Sequence, residues 1–257
     1  MADARQVGAL LVVTGAALAI WSFGDREANT EHEVTSKISV VDLDSPNADV
    51  TIQVADVDKT TIKAKQTYWM VKHGDAYSVE GGTLRINGNC GWKCQADFVV
   101  TVPRGTTVTG DNGTGDLSLT GVSGVDARSR SGDVQLRDVS GDVKLDVTSG
   151  DVSLDRVAGK LDIRATSGDI SATHLSGGAV NVKTTSGDLQ VELDQANDVT
   201  AEGTSSEIRI VAPAGSYRIH TDTSSGDVNN GLTNDPSGRN KIDASTSSGD
   251  IALAAGS

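Results

Sequence analysis

Apolar and polar residues alternate along most of this chain, in runs only three to five residues long, and most runs start two residues after a glycine. Val134-Gln135-Leu136, Val143-Lys144-Leu145-Asp146-Val147, Val152-Ser153-Leu154, Leu161-Asp162-Ile163, Val180-Asn181-Val182, Leu189-Gln190-Val191 and Ile208-Arg209-Ile210 each put their apolar side chains on one face. A period of two is the signature of a half-buried strand. The glycines between the runs mark tight turns, where a positive φ costs glycine little.

The alternation is itself periodic. Ser-Gly-Asp recurs at 131–133, 140–142, 149–151, 167–169, 186–188, 225–227 and 248–250, with variants at Thr114-Gly115-Asp116 and Ser205-Ser206-Glu207. The steps along the acidic positions 116, 133, 151, 169, 188, 207, 227 and 250 are 17, 18, 18, 19, 19, 20 and 23. A half-period near nine places Asp142, Lys160, Ala179 and Asp198 at the start of intervening strands. One unit is thus a corner plus a short strand, and two units make a full period. No such strand buries much alone, but stacked coils share one continuous core. The expected fold is all-β: a β-solenoid of stacked two-strand coils of about 19 residues, regular over 111–257. Residues 36–110 carry longer, less even strands and are expected to form an irregular N-terminal cap of the same solenoid. Ser45-Pro46-Asn47-Ala48-Asp49-Val50-Thr51-Ile52 reads there as a degraded corner-plus-strand unit.

The SGDV-x-L units, preceded by Cys94 and by Val100-Thr101-Val102-Pro103-Arg104-Gly105, resemble the bacterial DUF4097 β-strand-repeat family, whose members often carry an adhesin label. The resemblance covers about residues 36–257. It implies a β-solenoid ectodomain on a membrane anchor, associated with envelope-stress systems, and it implies no enzyme activity and no catalytic residues.

The N-terminal segment breaks the pattern. Gln6 to Phe23 is uncharged and apolar; eighteen residues at ~1.5 Å rise span about 27 Å, one hydrocarbon core. Trp21 and Phe23 sit at its end, Arg5 precedes it, and Asp25, Arg26 and Glu27 follow. The expectation is a single-pass protein: 1–5 cytoplasmic, 6–23 a transmembrane helix, 24–35 a polar juxtamembrane tether and the remainder extracytoplasmic. The alternative is a signal sequence whose cleavage secretes the main body.

Charge narrows the partners. The 257 residues hold 22 Lys+Arg against 35 Asp+Glu, a net −13. Nucleic-acid binding needs a basic face and is excluded. Stacking aligns like-numbered corners about 4.8 Å apart, so the acidic residues form the expected column Asp116, Asp133, Asp151, Asp169, Asp188, Glu207, Asp227 and Asp250, flanked by serine and threonine columns. Such residues hold corners by bonding backbone groups. The functional alternative is a divalent-cation ladder on Asp133, Asp151, Asp169, Asp188, Asp227 and Asp250, since aligned carboxylates repel.

Other candidate chemistry is sparse. Cys90 and Cys94, outside the membrane, are expected to form a local disulfide. His32, His73, His174 and His220 share no ligand spacing, and no nucleophile elbow, P-loop or H-E-x-x-H is present. Sugar platforms use aromatics, and the stretch holding Tyr68, Trp69, Tyr77, Trp92 and Phe98 is the one place where they cluster; Tyr217 alone lies in the regular repeats. The reading is a non-enzymatic structural or interaction protein of the bacterial cell envelope that meets an envelope protein or surface ligand. No cofactor is expected. The alternatives are a carbohydrate-active or carbohydrate-binding solenoid and a cation-binding repeat protein. An open sheet edge near Ile251 and Leu253 is a further expected place for self-association.

Overall fold

The computed structural model describes residues 26–68, 76–88 and 94–256. Among them lie twenty-four strands and no helix. In chain order they are β1 Arg26–Val34, β2 Val40–Asn47, β3 Val50–Ala55, β4 Thr60–Tyr68, β5 Tyr77–Glu80, β6 Thr83–Ile86, β7 Cys94–Pro103 and β8 Thr107–Thr114. There follow β9 Leu117–Thr120, β10 Gly124–Ser131, β11 Val134–Val139, β12 Val143–Ser149, β13 Val152–Val157, β14 Leu161–Ser167, β15 Ile170–Leu175 and β16 Val180–Ser186. The chain continues with β17 Leu189–Leu193, β18 Val199–Glu202, β19 Ile208–Ala212, β20 Ser216–Ser225, β21 Val228–Asn230, β22 Thr233–Asn234, β23 Asn240–Ser248 and β24 Ile251–Ala255.

Two twelve-stranded sheets result, ordered β1-β4-β7-β3-β9-β11-β13-β15-β17-β19-β24-β21 and β5-β6-β2-β8-β10-β12-β14-β16-β18-β23-β20-β22. Each coil takes one strand from the second sheet, turns the Ser-Gly-Asp corner, and adds one strand to the first. Equivalent strands pair in parallel and in register, as in Val125↔Val143↔Leu161↔Val180 and Val134↔Val152↔Ile170↔Leu189. The all-β, solenoid-like arrangement expected from the repeat is the one the chain adopts. Its core lies between the sheets, where those columns are at most 5% exposed. Each fully buried Val, Leu or Ile contributes roughly 1.5–3 kcal/mol of transfer free energy.

The corners explain the glycines. Gly150 has φ +121°, and a Cβ there would lie far inside van der Waals contact with the carbonyl oxygen of Gly132 in the neighbouring coil. Gly168 stands in the same relation to Gly150. At these corners glycine is therefore required on two counts, for its dihedral and for the close approach of successive coils.

Two expectations about the ends change. Residues 26–34, expected within a polar tether, form β1, which pairs antiparallel with β4. Ala28, Thr30, His32 and Val34 face inward on it, while Glu27, Glu31 and Glu33 face out toward Lys65, Lys63 and Lys59 at 3.4, 3.3 and 3.1 Å. The charges that suggested a solvated linker are one face of a strand.

The second change concerns order at the C-terminal end. After β18 and β19 the chain skips one position, builds the end coil as β20 and β21, then returns to fill the gap with β23 and β24. The sheet edge near Ile251 and Leu253 is consequently not open: these residues are 0% and 3% exposed and lie between β19 and β21. The end strand of that sheet is β21, where Val228 is 44% exposed.

Among the described residues no helix is long and apolar enough to cross a membrane. The expected anchor, Gln6 to Phe23, lies outside the described residues.

Candidate functional site

The acidic column assembles, and its chemistry is visible. The backbone N–H of Asp151 donates to Oδ1 of Asp133 at 3.0 Å, that of Asp169 to Asp151 at 2.9 Å, and that of Asp188 to Asp169 at 2.8 Å. Asp133 N–H donates to Asp116 at 2.9 Å and Glu207 N–H to Asp188 at 3.0 Å. In return Val134 N–H donates to the carbonyl of Asp151 at 2.9 Å, so adjacent coils are tied in both directions at each corner. The glycine turn takes the following amide out of the regular ladder, and the carboxylate supplies the acceptor that amide would otherwise lack. A hydrogen bond to a charged group contributes about 1.5–3 kcal/mol where it is shielded, less at an exposed corner.

The two ends of this column depart from the order of the repeat. Asp49 begins it, accepting from Asp116 N–H at 2.9 Å, although Ala48 stands where the motif has glycine. At the other end the order is Glu207, Asp250, Asp227: Ile208 N–H donates to the Asp250 carbonyl, and Asp227 N–H donates to Asp250 Oδ1, both at 2.8 Å. The opposite corner repeats the device, with Lys160 N–H on Asp142 Oδ1 and Lys241 N–H on Asp198 Oδ1, each at 2.8 Å.

In the column that holds the expected cation ladder, Asp116, Asp133, Asp151, Asp169, Asp188 and Asp250 each have one carboxylate oxygen engaged by an amide. Among the described residues no group of three or more His, Cys, Asp or Glu is arranged to hold a metal ion. The column works as coil-to-coil stitching.

A second constellation was not anticipated. On the outer face of the second sheet, Asp44, Asp111, Arg128, Asp146, Arg164, Lys183 and Glu202 are register partners across seven successive strands. Arg128 lies 3.6 Å from Asp111 and 3.7 Å from Asp146, Arg164 lies 3.8 Å from Asp146, and Lys183 pairs with Glu202. The first five of these residues line a groove of about 770 Å³, together with Arg130, Thr148 and Thr166. The signal was in the sequence: the row steps by 17, 18, 18, 19 and 19 from residue 111 to 202, the spacing of the acidic corners five residues later.

A third cluster lies on the first sheet, where Asp138, Arg156 and His174 take left-handed backbone conformations at φ of 56°, 60° and 55°. Arg156 clasps Asp138 through Nε at 2.6 Å and Nη2 at 3.2 Å, and also pairs with Asp155. The Arg156 guanidinium holds the Asp138 carboxyl below the usual carboxylate range. His174 Nδ1 is 2.9 Å from Asp155 Oδ1. Among the described residues no serine or threonine hydroxyl bonds to His174.

Within the aromatic stretch the structure places the side chains of Phe98 and Tyr77. Phe98 is core at 1% exposure, and Tyr77 tilts against His32 with ring centroids 5.7 Å apart. Trp69 and Trp92 lie outside the described residues. So does the expected Cys90–Cys94 pairing: Cys94 opens β7, its backbone opposite Tyr68, while Cys90 is not described. Tyr217 is buried and donates to the Pro213 carbonyl at 2.8 Å; its burial pushes the phenol pKa up.

The family model described as Toastrack DUF4097 matches residues 38–254. A comparison with curated proteins gave no match. Among solved structures, one described as a putative adhesin from Parabacteroides merdae shares 12% identity over 86% of this chain and 95% of that one, with a TM-score of 0.53. One described as a putative adhesin from Bacteroides fragilis shares 14% identity over 88% and 96%, at a TM-score of 0.44. One described as a putative cell adhesion protein from Clostridium sporogenes shares 11% over 89% and 100%, at 0.28. At such identities the Parabacteroides likeness speaks to the fold alone.

Proposed function

Because this chain belongs to the Toastrack DUF4097 family, we propose that it is a non-enzymatic interaction protein of the bacterial cell envelope, with the adhesin-like role named for its structural relatives. Its two sheets are a scaffold, and its partner is an envelope protein or surface ligand. In this reading Gln6–Phe23 is the membrane anchor and the sheets stand on the extracytoplasmic side. The observation that carries the proposal is how the polar side chains are used. Corner carboxylates engage backbone amides, whereas the mixed-charge groove of the second sheet is a concave surface facing outward. A row of mixed sign favours a polar partner carrying both charges over nucleic acid or anionic lipid.

The test is crosslinking in intact cells, comparing the natural chain with an Arg128→Glu/Arg164→Glu variant. The natural chain is expected to capture a discrete envelope component from the outside, and the variant to lose it. Capture of nothing by the natural chain, or equal capture by both, overturns the groove assignment. Protection of the protein from an added protease until the membrane is opened overturns the extracytoplasmic placement.

A further inference from the structure

The coil of β23 and β24 is the one the chain inserts out of order. β23 runs parallel to both β18 and β20, and β24 to both β19 and β21. Ile242, Ala244 and Ile251 are 0% exposed and Leu253 3%. The coil is stitched on both sides: Ser206 N–H donates to the Ser248 carbonyl at 2.9 Å, Ile208 N–H to the Asp250 carbonyl at 2.8 Å, and Asp227 N–H to Asp250 Oδ1 at 2.8 Å. Among the described strands, β20 and β21 pair with nothing but this coil and the two-residue β22. The slot between the β18–β19 and β20–β21 coils is therefore filled by a segment that comes later in the chain.

We propose that this slot accepts residues 240–255 from a second copy of the same chain, so that copies associate by exchanging the β23–β24 coil. A second copy supplies identical residues in identical register, so every strand pairing and buried side chain of the slot is reproduced. The one part that must differ is the connection of residues 235–239. In the closed form it is a compact turn, in which Gly238 N–H donates to the Asp235 carbonyl at 2.9 Å and Ser237 donates to Asp235 Oδ1 through N–H at 2.8 Å and Oγ at 2.7 Å. Opened, five residues reach about 17 Å, more than three strand spacings at about 4.8 Å each. The inference does not depend on the envelope reading, since it concerns only how copies of this chain join.

Thr200 and Asp243 are register partners across β18 and β23. Two full-length single variants, Thr200→Cys and Asp243→Cys, one of them isotope-labelled, are mixed and mildly oxidised, and linked peptides are mapped by mass. Exchange is expected to give a 200–243 link between a labelled and an unlabelled chain, in a fraction that rises with concentration. The Thr200→Cys/Asp243→Cys double variant reports the closed form as the same link within one chain. Deleting residues 236–238 from both single variants shortens the hinge and is expected to raise the interchain fraction at least severalfold. The proposal is overturned if the mixture with the natural hinge yields no interchain 200–243 link at any concentration while the double variant links within itself.

Discussion

The coils from β10 to β17 and the coils from β18 to β24 carry the same corner motif, yet they obey different rules. In the first group sequence order is spatial order, and each coil has neighbours laid down before and after it. In the second, the end coil is built before the one that attaches it. A repeat thus specifies what can stack on what, but not the order in which interchangeable units stack. Position in the stack, rather than motif, decides how much each corner residue matters.

The largest expected effects come from corner glycines. Gly168→Ala places a Cβ against the Gly150 carbonyl at φ +121°, and Gly226→Ala does the same against Gly249 at φ +152°. Gly168 has coils on both sides, so its substitution is expected to destabilise the entire stack by about 3–5 kcal/mol. Gly226 turns the end coil, so its substitution is expected to loosen residues 216–234 alone. Urea unfolding measures the first, and hydrogen exchange of individual amides locates the second. Equal global destabilisation by both would erase the distinction between middle and end.

Core truncation follows. Leu136→Ala removes a side chain that is 0% exposed and is expected to cost about 2–5 kcal/mol. Val228→Ala, on the end strand at 44% exposure, is expected to stay within about 0.5 kcal/mol. Denaturation midpoints of the two variants check the contrast.

The same contrast explains what could be read from the residues alone. Asp133, Asp151, Asp169 and Asp188 were legible as a column because glycine and an apolar residue flank each at nearly constant spacing. Asp49 was less so, because Ala48 replaces the glycine and Pro46-Asn47 the hydroxyl residues. The exchange of Asp227 and Asp250 was not legible at all. Both corners read Ser-Ser-Gly-Asp, and local pattern carries no term for which of two equivalent coils reaches the stack first. β1 was hidden for another reason, since its inward residues are mostly small or polar and its outward ones are acidic. Its strand character depends on the lysines of β4, about 30 residues away. The charge row through Arg128 and Arg164 needed only the step length already found at the corners.

A sharper version of the comparison uses one carboxylate from each region. Asp151→Ala leaves the amide of Asp169 without its acceptor and is expected to cost about 1–3 kcal/mol, toward the low end because water reaches the corner. Asp151→Asn keeps an oxygen acceptor and should recover most of that. Asp227 heads the end coil, and no amide of the described residues donates to its carboxylate, so Asp227→Ala is expected to be nearly neutral. If Asp151→Ala proves as mild as Asp227→Ala, the stitching has no energetic weight.

The smallest effect tests whether charge, independent of stacking, stabilises the middle coils. Asp138 is held below the ordinary carboxylate range by its hydrogen bonds with Arg156. A carboxyl with a depressed folded-state pKa binds its proton less readily folded than unfolded. Its stabilisation is therefore present above the ordinary carboxylate pKa of about 3.9 and is lost as pH falls through the lower folded value. The pair is exposed, so the contribution is small. Asp138→Asn removes it and is expected to lower the melting temperature slightly at pH 7 while leaving it unchanged at the acid end, where the natural side chain is protonated. Melting curves from neutral pH down through the carboxylate range decide this: a gap between the two proteins that persists undiminished in acid would assign the effect to packing at the left-handed corner instead of to the ion pair.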